Sequence, residues 1–294
     1  MSSGSILRYN DGSSAQPRLR IAHSLWSLRS LPMNAPVEWT LEEKFSRVKQ
    51  NGFEAVECWL TDVDEKLHRD ALDAEALGLI LGHRPFKLED VRSTVARALR
   101  LKADFIFAQP ADAFTPVQEV ATLIKEGRKI ANDNGLALFV EVHRNNFTEN
   151  LPQIKQLIEL DPDIRFTADL SHLIVCGEFY GWEDERAIDR LECVLSRTSH
   201  MHGRISNGEA VQVDVGDGSG DTAKFFVRLW ASAMRSWLSD ATTGDVLQFA
   251  SELGPPRYAI TLPDGSEFSD RWEQSLVMKR LAEEAWTLAT DSTD

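Results

Sequence analysis

The chain has few cysteines and no long apolar segment. Its three cysteines, Cys58, Cys176 and Cys193, are an odd number, and no two of them have C-x-x-C spacing. This pattern favours reduced thiols over disulfides or a thiolate metal site. The apolar runs are far shorter than the roughly 20 residues of a membrane-spanning helix. The polar N-terminus also has no secretory h-region. We therefore expect a cytoplasmic protein without a membrane partner.

Basic residues and phosphate-binding motifs are also scarce. The 32 Lys and Arg residues are outnumbered by 46 Asp and Glu residues, which gives a formal net charge of −14. Binding to a nucleic-acid backbone requires a basic surface, so we expect no nucleic-acid partner. No G-x-G-x-x-G follows the first predicted strand, and G-x-x-x-x-G-K-[ST] is absent. These absences disfavour the dinucleotide-binding and P-loop classes.

The order of apolar patterns predicts an α/β fold. Residues 1–18 are rich in Ser, Gly and Asn without periodicity, which predicts a flexible N-terminal tail. From 19 to 294, short apolar strands alternate eight times with amphipathic helices. Strands alternating with helices imply parallel pairing and right-handed crossovers. Eight such units in one chain of this length predict a single (β/α)8 TIM barrel domain.

Acids and histidines collect where the predicted strands end. Glu141 follows LALFV, Asp169 follows IRFTA, His202 lies in SHMHGR and Glu252 follows LQFAS. The carboxyl ends of barrel strands carry the active site in this architecture. Three carboxylates and one imidazole favour one divalent ion, Mn2+, Mg2+ or Co2+, and Zn2+ also fits. The structural alternative for Glu141 and Glu252 is an ion pair with Arg144 or Arg204.

The histidines follow the same pattern. Only His68 falls inside a predicted helix, where we expect it to be exposed. The other six lie at or just past a predicted strand end, and they are His23, His83, His143, His172, His200 and His202. Glu57 also lies near a predicted strand end, where it is either a site residue or an acid at the edge of the core. Three arginines lie near this rim, namely Arg84, Arg144 and Arg204. Together with His83 they could form a pocket for an anion. The alternative is that their side chains face solvent or form ion pairs.

Four segments carry a resemblance to a known group of proteins. EVHR, ADLSH, SHMHGR and SELGPPRY, in this order on strands five to eight, resemble the xylose isomerase-like TIM barrel superfamily and its sugar phosphate isomerase/epimerase family. In the ketose 3-epimerases of that superfamily, one divalent metal is bound by Glu, Asp, His and Glu. The resemblance assigns these roles to Glu141, Asp169, His202 and Glu252. It also implies that His172, of the D-x-x-H pattern, contacts substrate.

The resemblance implies a metal-dependent isomerase or epimerase. Its substrate would be a sugar, sugar phosphate or polyol, its intermediate an ene-diolate, and its acid/base pair Glu141 and Glu252. The resemblance also implies a homodimer or a homotetramer, since these states are common among members of the superfamily. Arg204 is the nearest candidate for the arginine that holds substrate, although its spacing differs. The other predicted substrate contacts are His23, His83 and Arg144.

Three alternatives remain at the level of the sequence. The first is an inosose-type dehydratase using the same site, since dehydration begins with the same proton removal. The second is an endonuclease IV-like phosphodiesterase, which the net charge disfavours, as does the absence of histidine in VQVDVGDGSG after strand seven. The third is a barrel that binds a sugar or metal without turnover.

Overall fold

The predicted barrel is confirmed by the computed structural model, which describes residues 6–180 and 186–291. Its eight parallel strands close in sequence order, with the last strand paired to the first. The strands are β1 (Arg18–Ser24), β2 (Ala55–Trp59), β3 (Gly78–His83), β4 (Phe105–Ala108), β5 (Leu138–Glu141), β6 (Phe166–Ala168), β7 (Thr198–Gly203) and β8 (Val246–Ser251).

Helices surround the strands and bury an apolar face against them. They are α1 (Leu41–Gln50), α2 (Glu65–Glu75), α3 (Leu88–Leu101), α4 (Val117–Asp133), α5 (Leu151–Leu160), α6 (Leu170–Cys176), α7 (Ala187–Leu195), α8 (Asp221–Leu238) and α9 (Arg271–Thr290). Thr40 caps α1 with Glu43 as its capping-box partner, an arrangement typical of a Thr followed three residues later by Glu. The sequence predicts a helix over about 183–196, and α7 begins at Ala187 in the described residues, with residues 181–185 lying outside them.

One helix and one histidine differ from the sequence-based expectation. The short helix α6 starts immediately after β6, with the Asp169 side chain accepting a hydrogen bond from the backbone N–H of Ser171 as its N-cap. His68 on α2 is buried rather than exposed. Its ring lies edge-on to Phe45, and Nδ1 lies 3.0 Å from the carbonyl oxygen of Asp64. This histidine is therefore a packing residue, because α2 turns that face towards α1.

The barrel interior is filled by aromatic rings beneath the strand ends. The rings of Phe105 and Phe139 lie 5.0 Å apart, and Phe105 is also 5.0 Å from His200. Phe107 packs edge-on against His202 with 5.2 Å between ring centroids. These rings form a packed apolar layer inside the barrel. The layer holds the imidazoles of His200 and His202 in place and leaves no room for water beneath them.

Part of the N-terminal segment, whose flexibility over residues 1–18 stays a prediction, contacts the barrel. Residues 1–5 of that prediction lie outside the described residues. Ile6 and Tyr9 pack against the apolar cluster inside the barrel, whereas residues 10–16 are exposed. Tyr9 packs on Phe105 and its hydroxyl donates to Asp104. Asn10 donates to Asp245 just before β8. The segment therefore covers the end of the barrel opposite the predicted site, a role that its polar sequence does not reveal.

Across residues 6–180 and 186–291, no helix has both the length and the apolar character needed to cross a membrane.

Candidate metal centre

The four predicted metal ligands come together at the carboxyl end of the barrel. Glu141 is the last residue of β5, Asp169 follows β6 directly, His202 lies in β7 and Glu252 follows β8. Each offers one ligand atom, and these atoms all lie within 4.8 Å of one another. All four side chains are buried. The regular register of a closed parallel barrel brings consecutive strand ends side by side, which explains how a spacing pattern becomes a cluster.

His202 is held in one orientation by a fourth acid, Glu57. Its Nε2 lies 2.8 Å from Oε2 of Glu57, which is fully buried at the centre of β2. The other ring nitrogen, Nδ1, lies 3.0 Å from Oε2 of Glu252 and 3.4 Å from Oε1 of Glu141. A carboxylate on one nitrogen fixes the tautomer that leaves the other free to bind a metal. Glu57 is therefore a positioning residue of this centre.

Glu57 was the hardest member of the cluster to identify from sequence. It is separated from His202 by 145 positions and lies on the far side of the closed barrel. The only available signal was a charged residue inside the apolar strand AVECW. Glu57 also lies 3.6 Å from Nε2 of His200, whose Nδ1 is 3.1 Å from the Thr167 hydroxyl. His200 thus lies next to the four-residue cluster and does not belong to it.

Arg204 adds a buried cation to the cluster. Its Nη2 donates to Oε2 of Glu252 at 2.5 Å and its Nε donates to Oδ2 of Asp169 at 3.2 Å. The guanidinium carbon lies 5.5 Å from the ring centre of Trp26 and 4.7 Å from that of Tyr258. The ion-pair alternative considered for Glu252 is thus present, alongside the cluster rather than in place of it. Arg204 neutralises two carboxylates that would otherwise be buried together.

His172 lies beside this centre with unused polar atoms. It is fully buried, and neither ring nitrogen has a hydrogen-bond partner in the described part of the chain. Its Nε2 lies 3.5 Å from Oδ2 of Asp169, and its ring is 3.9 Å from that of His143. Arg144 lies over the ring of Tyr258 at 5.0 Å. The predicted substrate contacts His172 and Arg144 therefore converge on the same side of the cluster.

The remaining predicted contacts have different surroundings. His23 has Nδ1 3.0 Å from the carbonyl oxygen of Ser24 and Nε2 3.0 Å from the Ser275 hydroxyl. It also packs between Phe53 and Trp272. This arrangement does not support the substrate contact predicted for His23, because both ring nitrogens are already engaged.

Gln109, which directly follows β4, links two parts of the candidate site. Its side-chain amide donates to Oε2 of Glu141 at 2.8 Å. This bond orients the Glu141 carboxylate and leaves its Oε1 directed at His202. Gln109 also lines a neighbouring cavity that contains His83. His83 is therefore near the cluster, connected to Glu141 through one residue.

Burial and mutual proximity shift the acidities of the cluster. Burial raises the pKa of Glu57 to about 7, against the opposing effect of His202. Burial also acts to raise the pKa of Glu252, but the His202 and Arg204 charges outweigh it and lower that pKa to about 2. Burial disfavours charge on His202, yet the carboxylates of Glu252, Glu57 and Glu141 raise its pKa well above the usual value. The cluster thus attracts positive charge at its centre.

The donor set fits a divalent cation. Oε1 of Glu141 and Nδ1 of His202 are buried without a hydrogen-bond partner in the described chain. Such atoms are costly unless a ligand satisfies them. The other two candidate ligand atoms, carboxylate oxygens of Asp169 and Glu252, face the same centre. They also accept hydrogen bonds from Arg204. Three oxygens and one nitrogen from buried residues are suitable ligands for Mg2+ or Mn2+.

Comparisons with known proteins were made by sequence and by structure. No protein-family model and no curated protein sequence matches the chain. Among solved structures, D-allulose 3-epimerase from Methylomonas sp. in complex with D-allulose is 14% identical, with a TM-score of 0.57 over 92% of this chain and 99% of that chain. A xylose isomerase-like TIM barrel protein from Mycobacterium smegmatis in complex with magnesium is 12% identical, with a TM-score of 0.59 over 92% and 98%.

A third similar structure comes from a different reaction class. The probable 3-DHS dehydratase AsbF from Bacillus anthracis is 15% identical, with a TM-score of 0.54 over 90% of this chain and 98% of that chain. At these sequence identities the similarity concerns the fold. In each comparison it covers nearly the full length of both proteins. The chain therefore has the fold of the xylose isomerase-like TIM barrel proteins.

Proposed function

We propose that the chain is a metal-dependent isomerase or epimerase that acts on a sugar, a sugar phosphate or a polyol. The observation that carries the proposal is the convergence of Glu141, Asp169, His202 and Glu252, whose ligand atoms lie within 4.8 Å of one another. The fold shared with an epimerase crystallised with D-allulose and with a magnesium-bound barrel supports it.

The four residues would hold one divalent ion, Mn2+, Mg2+ or Co2+, with Zn2+ as a further candidate. When bound, the ion would polarise the substrate carbonyl and acidify the adjacent C–H. His202 would use Nδ1, because Glu57 occupies Nε2. The acids would supply oxygens that are already buried and convergent.

Proton transfer is assigned to Glu141 and Glu252. Glu141 removes the proton next to the substrate carbonyl, and its orientation is maintained by the amide of Gln109 at 2.8 Å. Glu252, which approaches from β8, is assigned the return of a proton, which requires that binding of metal and substrate raise the low pKa that His202 and Arg204 give it. Return to the same carbon from the other face gives an epimer, and return to the neighbouring carbon gives an aldose–ketose isomer. His172, with its unpartnered nitrogens, is placed to bind a substrate oxygen.

A chelation experiment tests this function. A panel of ketoses, ketose phosphates and inososes is incubated in D2O with protein stripped by EDTA, and again after Mn2+ is restored. We expect deuterium incorporation next to the carbonyl only with metal, because the first step is proton removal there. Exchange that is unaffected by EDTA would refute metal dependence, and no exchange with any compound despite tight Mn2+ binding would favour a non-catalytic binder. Loss of water from an inosose would identify the dehydratase instead.

Replacing Glu57 by glutamine tests how the metal site is positioned. We expect Mn2+ affinity to fall by about 10- to 100-fold, as is typical when the partner of a metal-binding histidine is lost. The glutamine side chain keeps the size of the glutamate but removes the charge that orients His202. Isothermal titration calorimetry measures the affinity, and Glu54→Gln is the control because Glu54 pairs with Arg18 at the surface. Equal affinity in wild type and Glu57→Gln would contradict the role of Glu57.

A further inference from the structure

A second cavity opens beside the metal cluster, over the ends of β2, β3 and β4. Its volume is about 530 Å³, within the range of roughly 300–1,000 Å³ found for small-molecule sites. Trp59, His83 and Gln109 are among the residues that line it. Because Gln109 also donates to Glu141, the cavity begins one side chain away from the proposed base. The Gln109 side chain is thus the boundary that the cavity and the cluster share.

The hydrogen-bonding state of His83 is determined by its neighbour. The Thr94 hydroxyl lies 2.9 Å from the carbonyl oxygen of Asp90, which can only accept, so Thr94 donates its single proton there. The same hydroxyl lies 3.0 Å from Nδ1 of His83, and while its proton is directed at Asp90 it accepts from Nδ1. His83 therefore carries its proton on Nδ1 and presents a lone pair at Nε2. Burial lowers the pKa of His83 to about 4, which keeps the ring neutral.

The lone pair of His83 has no partner in the described residues. His83 is only 5% exposed, and its Nε2 is buried without a hydrogen bond. A buried acceptor of this kind is usually satisfied by a ligand or by water. The ligand group that fits is a donor such as a hydroxyl, whereas a phosphate oxygen would face the lone pair unfavourably. Gln109, whose NH2 is used on Glu141, contributes its amide oxygen as a further acceptor.

The charge and shape of the lining also fit a neutral ligand. Of the described residues lining the cavity, Arg84 is the one permanent cation and Asp90 the one carboxylate. Arg84 already donates to the carbonyl oxygen of Asn145 and to Oδ1 of Asn146. The partly exposed indole of Trp59 is supported from behind by Phe107, with 5.3 Å between the rings. An aromatic wall with a few placed acceptors is suited to a hydroxylated ring.

We propose that this cavity, defined by Trp59, His83, Thr94 and Gln109, binds a neutral glycosyl unit that forms the non-reacting part of the substrate. The substrate class is then a glycoside or another sugar derivative larger than one ring, without a phosphate at that end. This inference rests on the proposed function for the reaction at the cluster, but glycosyl binding in the cavity can be measured without turnover.

Saturation-transfer NMR on metal-free protein tests the proposal. The probes are the methyl β-pyranosides of glucose, galactose, mannose and xylose, with glucose 6-phosphate as the charged comparison. We expect at least one glycoside to bind and the phosphate to bind more weakly than methyl β-glucoside. The variant His83→Leu should weaken the binding glycoside by about 3- to 10-fold, the value of one neutral hydrogen bond. His83→Gln, which can place an acceptor oxygen near the position of Nε2, should restore part of the affinity.

His68→Leu is the matched control, because His68 is also buried with an unpartnered Nε2 but lies outside this cavity. It should leave glycoside binding unchanged, and thermal unfolding shows that each variant is folded. The proposal is overturned if no glycoside binds, if His83→Leu binds as wild type does, or if glucose 6-phosphate binds most tightly. Binding of Mn2+ is titrated in parallel. If the protein bound a glycoside but did not bind Mn2+, the proposed metal-dependent function would be refuted and the glycosyl site would stand.

Discussion

Replacing Glu141 by glutamine is expected to reduce turnover by about 10²- to 10⁴-fold, the usual contribution of a positioned acid or base. The amide has nearly the same shape and still offers an oxygen at the end of β5, but it cannot accept the substrate proton. The rate of deuterium exchange next to the carbonyl, at saturating Mn2+, measures the effect. Saturation with metal matters because Glu141 is also a proposed ligand, and weaker Mn2+ binding would otherwise imitate a catalytic defect.

The matched control for this variant is Glu159→Gln. Glu159 lies on the exposed side of α5, where the same change of charge touches no residue of the cluster. It should retain the wild-type exchange rate and the wild-type unfolding temperature. A folded Glu141→Gln protein with near-normal exchange at saturating Mn2+ would remove Glu141 from the acid/base role. A variant that fails to bind Mn2+ at any concentration would instead show that its charge is needed as a ligand.

The sequence predicted those site residues whose positions follow from the barrel itself. Glu141, Asp169, His202 and Glu252 occupy equivalent places at consecutive strand ends, so knowing the strands was enough to bring them together. Parallel strands that close in sequence order allow no other arrangement of those ends. The positions of the metal-ligand candidates were therefore predictable from apolar runs followed by acids or histidine.

The contacts that the sequence did not predict depend on side-chain direction rather than strand order. Glu57 could have faced a helix or the barrel interior, and only the closed register shows that it reaches His202 across the barrel. His23 has the same sequence context as the candidate metal ligands, yet its ring points to α9 and Nε2 lies 3.0 Å from the Ser275 hydroxyl. Successive side chains of a strand point alternately to the barrel interior and to the helices, so the sequence alone permits either direction for a given residue. An irregularity in the pairing of β6 with β7 also shifts which residues of these strands lie side by side.

Arg204 illustrates how such a side chain changes the chemistry of the whole site. Its Nη2 and the Nδ1 of His202 approach the same oxygen, Oε2 of Glu252. Its Nε approaches Oδ2 of Asp169, while Oδ1 of Asp169 accepts from Ser171 at the start of α6. The guanidinium is therefore bound to the oxygens that face the cluster centre. It balances the charge of these oxygens, and a metal held by the cluster would have to share them with Arg204.

Replacing Arg204 by methionine is expected to destabilise the metal-free protein by about 3–5 kcal/mol, the usual cost of leaving a buried charge unpaired. Asp169 and Glu252 would lose their cation although both carboxylates are buried. Mn2+ should recover part of this loss, because a divalent ion restores the missing positive charge. The rise in unfolding temperature on adding Mn2+ should therefore be larger in Arg204→Met than in wild type, as measured by differential scanning calorimetry.

Arg128→Met separates this effect from the general cost of breaking a buried ion pair. Arg128 on α4 is buried, as Arg204 is, and it donates to Asp161 at 2.6 Å outside the metal cluster. Its loss should lower the unfolding temperature equally with and without Mn2+. If both variants responded to Mn2+ in the same way, Arg204 would be an ordinary structural ion pair. A larger metal-dependent recovery in Arg204→Met alone would establish that the guanidinium and the metal act on the same two carboxylates.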